Sequence, residues 1–512
     1  MPIPRQLAAA VLAVVGTAAG WSFKAAGSEP FRPAYHFSPE KNWINDPNGM
    51  VYYNGEYHLF YQLNPFGDEP GHLSWGHAVS RDMLGWKELP VALREENGIM
   101  IFSGGAVVDW NNSSGFGEDG KPPIVAFYTG ARKGNQAQNI AYSTDGGRTF
   151  TKYSGNPVID LKMAEFRDPM VFWHKPTNRW VMVVSLADLH RVQFYSSTDL
   201  KKWTLLSEFG PAGAQPVPNW ECPNLFELPV TNAKGTSKWV LELGVGGGTP
   251  AKGSASQYFV GDFDGHTFKN ANQATRTMWA DYGADFYAGQ TWSDIPPSDG
   301  RRILVAWMSN WIYGQKVPTH PWRGQMSLPR VLSLKTGPDG YFLTQSPIRE
   351  VEKLRDQHFH LQENSLEAAN AILSRRHFGD TLEVLAQFTV GKASNLGVHL
   401  RKDADQQTSL GFDASKNVIY VDRTKSGDTS FSPHFAAKHD GPLTPENGKV
   451  TLHIFLDRCS VEVFGNDGRT TLTDLIFPRE SGKAIDLYSD GGAIGGVQLD
   501  IWTLGSAQPP SL

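Results

Sequence analysis

The sequence predicts an all-β protein, a five-bladed β-propeller followed by a β-sandwich, from three observations. Glycine is abundant at 52 residues, and aromatic residues reach 12% while charged residues are only 19%, a composition typical of short strands and tight turns. A turn motif recurs through the first half of the chain, and the character of the strands changes near residue 345. Since 512 residues exceed one ordinary domain, we expect two.

The first 20 residues have the features of a secretory signal. Arg5 precedes the apolar run LAAAVLAVVGTAAG, which ends in small residues. Lys24 and the polar residues after it leave the run too short to span a bilayer. We therefore expect residues 1–20 to be removed, and the mature protein to be secreted, extracellular or periplasmic, without a membrane anchor. With only two cysteines, Cys222 and Cys459, it depends on its core rather than on a disulfide framework.

Four turns in the first half share an acid followed by an aromatic residue. They read SRDMLGW, STDGGRTF, SSTDLKKW and GDFDGHTF, with the acids at positions 82, 145, 199 and 264. Strand-like runs such as PIVAFYTG and RWVMVVSL lie between them, and units of three or four strands are typical of propeller blades. A further strand set around DFYAGQTWSD and RRILVAWMSNW supplies the fifth blade. We place the propeller at residues 30–345.

The rest of the chain reads as a second β domain. Runs such as TLEVLAQFTV, VTLHIFLD and GGVQLDIWTL alternate apolar and polar residues and contain few tryptophans. We expect a linker at residues 346–360 and a β-sandwich at residues 361–506. Because it lacks clusters of acids and indoles, we expect a structural or accessory role for this domain.

Three acids in the propeller segment stand out as candidate catalytic groups. Asp46 in WINDPNG, Asp168 in FRDPMVFW and Glu221 in NWECPNLFEL each begin or precede a strand, with proline one or two residues later. Their spacings of 122 and 53 residues correspond to about two blades and one blade. Innermost strands of a propeller surround one channel, so these carboxylates are expected to converge there. Their mutual repulsion should raise at least one pKa, which suits acid–base chemistry.

Aromatic and polar residues near these acids suit a sugar, whose C–H face packs on aromatic rings while its hydroxyls form hydrogen bonds. The substrate-binding candidates are Trp43, Trp75, Phe102 and Trp307 for the apolar faces and Asn45, Gln62, Ser103 and Arg167 for the hydroxyls.

Other classes of function are disfavoured. The net charge is -5 and no basic block occurs, which argues against a nucleic-acid partner. The histidines, such as His58, His72 and His77, do not fall into metal-ligand spacing, so we expect no metal site. No G-x-S-x-G motif supports a serine hydrolase.

The three motifs together resemble glycoside hydrolase family 32, the family of invertases, inulinases and levanases. NWINDPNG looks like its sucrose box, FRDP its RDP motif and WECP its EC motif, in the family's order and relative spacing. Similarity continues through MIFSGGAVVD and PWRGQMSLPR to DRCSVEVFGNDG. The resemblance covers nearly the whole mature chain and implies the same propeller and sandwich.

The resemblance also implies roles for individual residues. Asp46 would be the nucleophile, Glu221 the general acid and base, and Asp168 with Arg167 would hold fructosyl hydroxyls and stabilise the transition state. Asn45, Gln62, Trp75, Ser103 and Trp307 match positions that line the family's fructose pocket. No metal or organic cofactor is required.

The expected function is hydrolysis of terminal fructosyl residues of levan or inulin, and of sucrose, by a secreted exo-acting enzyme. The stretch DFYAGQTWSDIPPSDGRR resembles the exo-levanase and exo-inulinase branch. Three alternatives remain: a sucrose-preferring invertase, a fructosyltransferase, and a catalytically silent fructan-binding protein. The last would be expected to have lost Asp46 or Glu221, and both are present.

Overall fold

The computed structural model describes residues 29–214, 219–273 and 276–507. Within them the chain forms five small sheets in succession, followed by two sheets that pack around one apolar core. This arrangement confirms the predicted fold class, a five-bladed propeller followed by a β-sandwich. The predicted signal, residues 1–20, lies outside the described residues.

Each of the first five sheets is essentially an antiparallel meander. The first two contain β1 (Asn42–Tyr53), β2 (Glu56–Asn64), β3 (Ser74–Ser80), β4 (Lys87–Leu93), and then β5 (Met100–Phe102), β6 (Ala106–Val108), β7 (Ile124–Arg132), β8 (Asn135–Ser143), β9 (Thr151–Lys152) and β10 (Ile159–Met163). The third contains β11 (Phe166–His174), β12 (Arg179–Leu186), β13 (Arg191–Ser197) and β14 (Thr204–Phe209). The fourth contains β15 (Trp220–Pro229), β16 (Ser237–Val245), β17 (Ala255–Phe263), β18 (Phe268–Asn270) and β19 (Met278–Trp279). The fifth contains β20 (Tyr287–Thr291), β21 (Arg302–Trp307), β23 (Arg330–Gly337) and β24 (Gly340–Pro347), while the intervening β22 (Trp322–Arg323) joins the first sheet.

The five sheets close into a ring. Their innermost strands β1, β6, β11, β15 and β20 contact one another in that order, and β20 contacts β1 again. The short β22 pairs in parallel with the start of β1, and Asn42 N donates to Pro321 O at 2.7 Å. A segment from the last blade therefore seals the first, which places the starts of the innermost strands around one axial opening.

The four turns found in the sequence occupy one equivalent position. Counted from the innermost strand, each connects the third and fourth strands of its blade, and its aspartate Oδ1 accepts two backbone N–H groups two to four residues ahead. These carboxylates satisfy donors that the bend would otherwise leave unpaired. The fifth blade instead turns tightly between β23 and β24 through Gly340, whose φ of 99° favours glycine.

The second domain contains eleven strands, one α-helix and one core. Its first sheet has the spatial order β25, β35, β26, β31, β32, β33 and its second the order β30, β29, β28, β27, β34. In chain order these are β25 (Arg355–Glu363), β26 (Leu382–Thr389), β27 (Asn395–Lys402), β28 (Gln407–Asp413), β29 (Val418–Lys425), β30 (Lys438–Pro442), β31 (Lys449–Asp457), β32 (Ser460–Gly465), β33 (Thr470–Leu475), β34 (Ala484–Asp490) and β35 (Gly496–Leu504), with α1 at Leu366–Leu373.

The residues predicted as a linker, 346–360, are structured almost throughout, beginning with the last two residues of β24. A 3-10 turn covers Arg349–Leu354, and β25 begins at Arg355 and pairs with β35 at the sheet edge. The sequence RDQHFHLQE reads as a connection because this edge strand is largely exposed and carries few apolar residues. The predicted domain boundaries otherwise stay a prediction.

Buried ion pairs join the propeller to the sandwich. Arg330 of β23 donates to Asp281 Oδ2 at 2.8 Å and to Glu462 of β32. Arg423 of β29, in the sandwich, donates to Asp285 Oδ2, in the propeller, at 2.6 Å. Both guanidinium groups are fully buried. These contacts position the segment that leads into β20, and that strand contributes to the central opening.

Candidate active site

The three predicted acids meet in one cavity of about 450 Å³ at the propeller axis. Asp46 lies on β1, Asp168 on β11 and Glu221 on β15, each near the start of an innermost strand. The cavity is lined by Asn45, Asp46, Gln62, Leu73, Phe102, Ser103, Gln136, Glu165, Arg167, Asp168, Asn219, Glu221, Gly246, Tyr287 and Trp311. Residues as far apart as positions 46 and 221 therefore form one site.

Irregular backbone aims each of these carboxylates. The pairing of β1, β11 and β15 with the next strand is interrupted beside Asp46, Asp168 and Glu221 respectively. The prolines that follow have no N–H to donate to the neighbouring strand, which explains why the ladder breaks there. Asp168 also has a φ of 66°, a strained conformation for a residue other than glycine. The proline spacing seen in the sequence thus produces three strand irregularities around one opening.

Asp46 is a buried carboxylate held by three donors. Ser103 Oγ donates to Oδ2 at 2.6 Å, Asn45 Nδ2 donates to Oδ1 at 3.1 Å, and Cys222 Sγ lies 3.4 Å from Oδ2. Burial raises the pKa of Asp46; the Ser103 hydrogen bond opposes this, and the charge of Glu221 adds to it. A fixed, poorly solvated carboxylate of this kind is suited to act as a nucleophile.

Glu221 is held on both of its oxygens. Arg167 donates to Oε1 from Nε at 3.0 Å and from Nη2 at 2.8 Å, and the Tyr287 hydroxyl donates to Oε2. The Glu221 side chain keeps 20% of its surface exposed, so the carboxyl group remains accessible from the cavity. This combination of fixed orientation and access suits proton transfer to a bound substrate.

Asp168 lies deeper, beside Arg167 and the other two acids. Cys222 N donates to its Oδ2 at 2.9 Å, and Arg167 Nε lies 4.0 Å from the same oxygen. Burial raises the pKa of Asp168 to about 7, against the lowering effect of Arg167, and the charges of Glu221 and Asp46 raise it further. The sequence suggested mutual repulsion as the cause of raised pKa values here; burial is the larger cause for both aspartates.

The predicted substrate-binding residues fall into two groups. Asn45, Gln62, Phe102, Ser103 and Arg167 line the cavity.

The tryptophans Trp43, Trp75 and Trp307 are fully buried and do not line the cavity. Trp43 Nε1 donates to Asn45 Oδ1 at 2.8 Å and Trp75 Nε1 donates to Phe102 O at 3.1 Å. Trp307 packs against Trp43 with ring centroids 5.7 Å apart. These indoles therefore lie behind the lining residues and hold them in position. They are buried because large side chains are needed to fill the interfaces between blades.

Sequence reasoning assigned no role to several lining residues, of which Tyr287 is the most informative. Its ring packs within the small buried cluster that includes Trp43, Cys222 and Trp307. Tyr287 lies near the start of the innermost strand of the fifth blade, as Asp46 does in the first. This repeated position could have identified Tyr287 as a cavity residue from the sequence. Gln136, whose Oε1 accepts from Arg167 Nη1 at 3.2 Å, offered none, because it lies on β8 rather than on an innermost strand.

The described part of the chain shows neither a candidate metal-binding cluster nor a helix that could span a membrane. No group of three or more His, Cys, Asp or Glu side chains there could hold a metal ion. Among the helices of that same part, none has the length and apolar character needed to cross a membrane.

Comparisons with known proteins agree with this geometry. The family model described as "Glycosyl hydrolases family 32 N-terminal domain" matches residues 36–347, and that described as "Glycosyl hydrolases family 32 C terminal" matches residues 350–503. The chain is 49% identical to a levanase of Bacillus subtilis over 91% of this chain and 69% of that protein. It is 42% identical to an extracellular exo-inulinase of Aspergillus niger over 98% of both chains.

Solved structures show the same similarity. The crystal structure of exo-inulinase from Aspergillus awamori superposes with a TM-score of 0.86 at 42% identity, covering 93% of this chain and 99% of that one. A β-fructofuranosidase from Schwanniomyces occidentalis, solved with fructosyl-erythritol, gives a TM-score of 0.84 at 34% identity, covering 93% and 98%.

Proposed function

Because the chain belongs to glycosyl hydrolase family 32, we propose that its cavity removes terminal β-D-fructosyl residues from fructans by a retaining mechanism. The observation that carries this proposal is the convergence of Asp46, Asp168 and Glu221 on one cavity of about 450 Å³. Two carboxyl groups, one as nucleophile and one as proton donor, are what retaining hydrolysis of a glycoside requires. The named relatives, a levanase and an exo-inulinase, act on such polymers.

In the first half-reaction Asp46 attacks the anomeric C2 of the fructosyl unit. The bond from C2 to the leaving oxygen breaks as Glu221 gives that oxygen a proton, and a fructosyl ester of Asp46 forms. Ser103 and Asn45 hold the attacking carboxylate in place. Asp168 and Arg167 contact fructosyl hydroxyls, and the Asp168 carboxylate stabilises the positive charge that develops on the ring.

In the second half-reaction Glu221, now ionised, removes a proton from water. The resulting hydroxide attacks C2, the ester bond breaks, and Asp46 is released as a carboxylate with free fructose as product. The donors Arg167 and Tyr287 keep the Glu221 carboxylate oriented towards the cavity during this step.

The exo mode follows from the shape of the site. The acids lie in a cavity lined by residues from all five blades, and the residues further along β11 and β15, such as Val171 and Leu225, are buried. A polymer can therefore present only its end to Asp46. We also propose that sucrose is cleaved, since its fructosyl unit carries the same linkage chemistry at C2, and that the protein is secreted, as its extracellular relatives are named.

A time course of products from levan, inulin and sucrose tests this proposal. Purified mature protein should release fructose alone from both polymers at early times, and glucose with fructose from sucrose. Early oligosaccharides would contradict exo-hydrolysis, because they require internal cleavage or transfer to sugar acceptors. No product from any of the three would favour a silent binding protein instead.

A further inference from the structure

Two further cavities lie at the end of the propeller axis opposite the candidate active site. They have volumes of about 210 Å³ and 330 Å³ and share the lining residues Phe172, Trp173, Ser293 and Arg302; together we term them the lower cavity. Phe172 follows Asp168 by four residues on β11, and Phe226 follows Glu221 by five on β15. At about 3.3 Å per residue, the lower cavity is roughly 13–16 Å from the catalytic acids.

Arg302 gives the lower cavity an unused set of donors. The guanidinium makes one hydrogen bond, from Nη1 to Trp292 O, at a long 3.4 Å. Its Cζ lies 5.5 Å from the centroid of the Phe226 ring, no carboxylate of the described residues lies within 4.0 Å of the guanidinium, and burial lowers its pKa to about 10. The group is still charged at neutral pH, so its N–H groups can donate to acceptor oxygens of a ligand.

Two indoles with fixed orientations form the walls. Trp110 is 58% exposed, an unusual degree for so large an apolar side chain, and its Nε1 donates to Asp294 Oδ1 at 2.8 Å. Trp173 packs edge-on against Trp180 with ring centroids 5.1 Å apart. Because these contacts fix the rings in advance, little side-chain entropy is lost when a ligand stacks on them.

The charge distribution favours a neutral ligand. The Asp294 carboxylate accepts Val108 N at 2.9 Å and the Trp110 indole N–H, and its negative charge offsets that of Arg302. A phosphate or carboxylate ligand would be repelled by Asp294, whereas a sugar offers hydroxyl oxygens to Arg302 and C–H faces to the indoles. A volume of about 330 Å³ is at the lower end of the usual range for small-molecule sites.

We propose that the lower cavity is a second, non-catalytic saccharide site that holds a fructosyl unit of the polymer. This inference rests on the proposed function, because that function identifies the saccharide. The two sites share no lining residue, and the buried Asn224 and Thr291 form the wall of the lower cavity on the side of the catalytic acids. One fructan molecule can therefore engage both ends only by passing around the propeller, and a second attachment would raise the effective concentration of chain ends at Asp46.

Calorimetric titration of the full-length Glu221→Gln variant with 1-kestose tests this directly. We expect two binding sites, and one site when Trp110→Ala is added, with at least a tenfold loss of affinity at the lower cavity, since truncating a tryptophan on which a ligand packs typically costs about that much. Leu205→Ala is the matched control, because Leu205 is 50% exposed on β14 and lies outside both cavities. Arg302→Gln provides a second variant should Trp110→Ala fold poorly.

Kinetics supply an independent measurement. In the otherwise wild-type enzyme, Trp110→Ala should raise the apparent KM for high-molecular-weight levan about threefold or more and leave kcat and KM for sucrose unchanged. A single 1-kestose site in Glu221→Gln, or saturation of the lower cavity by inorganic phosphate in place of 1-kestose, would overturn the proposal. Failure of the wild-type enzyme to hydrolyse levan, inulin or sucrose would instead overturn the proposed function.

Discussion

At the scale of single residues, the hydrogen bond from Ser103 lowers the pKa of Asp46, the proposed nucleophile. The bond lowers a pKa that burial has raised, and Asp46 must be ionised to attack, so activity is lost as pH falls through its pKa. Ser103→Ala removes the bond and should therefore move the acidic limb of the kcat/KM profile to higher pH. The check is a pH profile on sucrose for both proteins; an equal loss of kcat/KM at every pH, with the limb unmoved, would contradict this role.

The positions of the three acids in one cavity could be predicted from the sequence because the backbone signal was strong. Asp46, Asp168 and Glu221 were found because proline follows each at a strand start, and proline has the same effect on the ladder wherever it occurs. The outcome for Trp43 and Trp75 could not be anticipated, because a tryptophan at a strand start can face the cavity or the blade interface. A shift of one residue decides between them, and the strand irregularities beside the acids obscure that register.

At the scale of elements, Arg423 of β29 joins the sandwich to the segment before β20. Its guanidinium donates to Asp285 and Tyr313, lies 3.4 Å from Asp474, and has no exposed surface. Arg423→Met should lower the free energy of unfolding by about 3–5 kcal/mol, because it leaves the buried Asp285 carboxylate without a cation. Urea unfolding followed by intrinsic fluorescence measures this change.

The control for Arg423 is a surface arginine of the same domain. Arg479 is 57% exposed and lies 3.6 Å from Asp403, so Arg479→Met should change the free energy of unfolding by at most about 1 kcal/mol. If both variants lost the same small amount, the buried pair would not hold the domains together. We also expect Arg423→Met to reduce activity, since Asp285 is two residues before Tyr287.

Repeating elements were predictable because each blade makes its own local turn. The aspartates of the four turns accept neighbouring backbone N–H groups, so the signal is contained within a few residues of sequence. The closure of the ring was not predictable in this way. It depends on two residues of β22 pairing with β1 across about 280 positions, and a pair of residues carries no periodic signal.

At the scale of the whole molecule, His36 couples the N-terminal segment to the sandwich. Its Nδ1 and Nε2 lie 2.8 Å from Asp457 and 2.8 Å from Glu462, and all three side chains are fully buried. Burial alone would lower the pKa of His36, but the two carboxylates outweigh it and raise the pKa from 6.5 to about 9. The His36 contact lowers the pKa of Asp457 despite its burial, and Arg330, followed by His36, lowers the pKa of Glu462.

Stability should therefore depend on pH in a defined direction. Because the pKa of His36 is raised, its charged form stabilises the fold fully below about pH 6.5. This contribution is lost as the pH rises through about 9. Relative to wild type, His36→Gln should lower the free energy of unfolding by about 3 kcal/mol more at about pH 6 than at about pH 10. Urea unfolding at the two pH values measures the difference, with the exposed His434→Gln as control. A difference independent of pH would contradict the charged interaction.

The most direct test of the proposed mechanism is to trap the fructosyl ester on Asp46. β-D-Fructofuranosyl fluoride needs no acid to leave, so the Glu221→Gln variant should form the ester but lack the base that hydrolyses it. Peptide mass spectrometry should then find one fructosyl group on the peptide that contains Asp46, and none in Glu227→Gln, an exposed control on the same strand. No trapped ester, or an ester on Asp168, would contradict the assignment of Asp46 as the nucleophile.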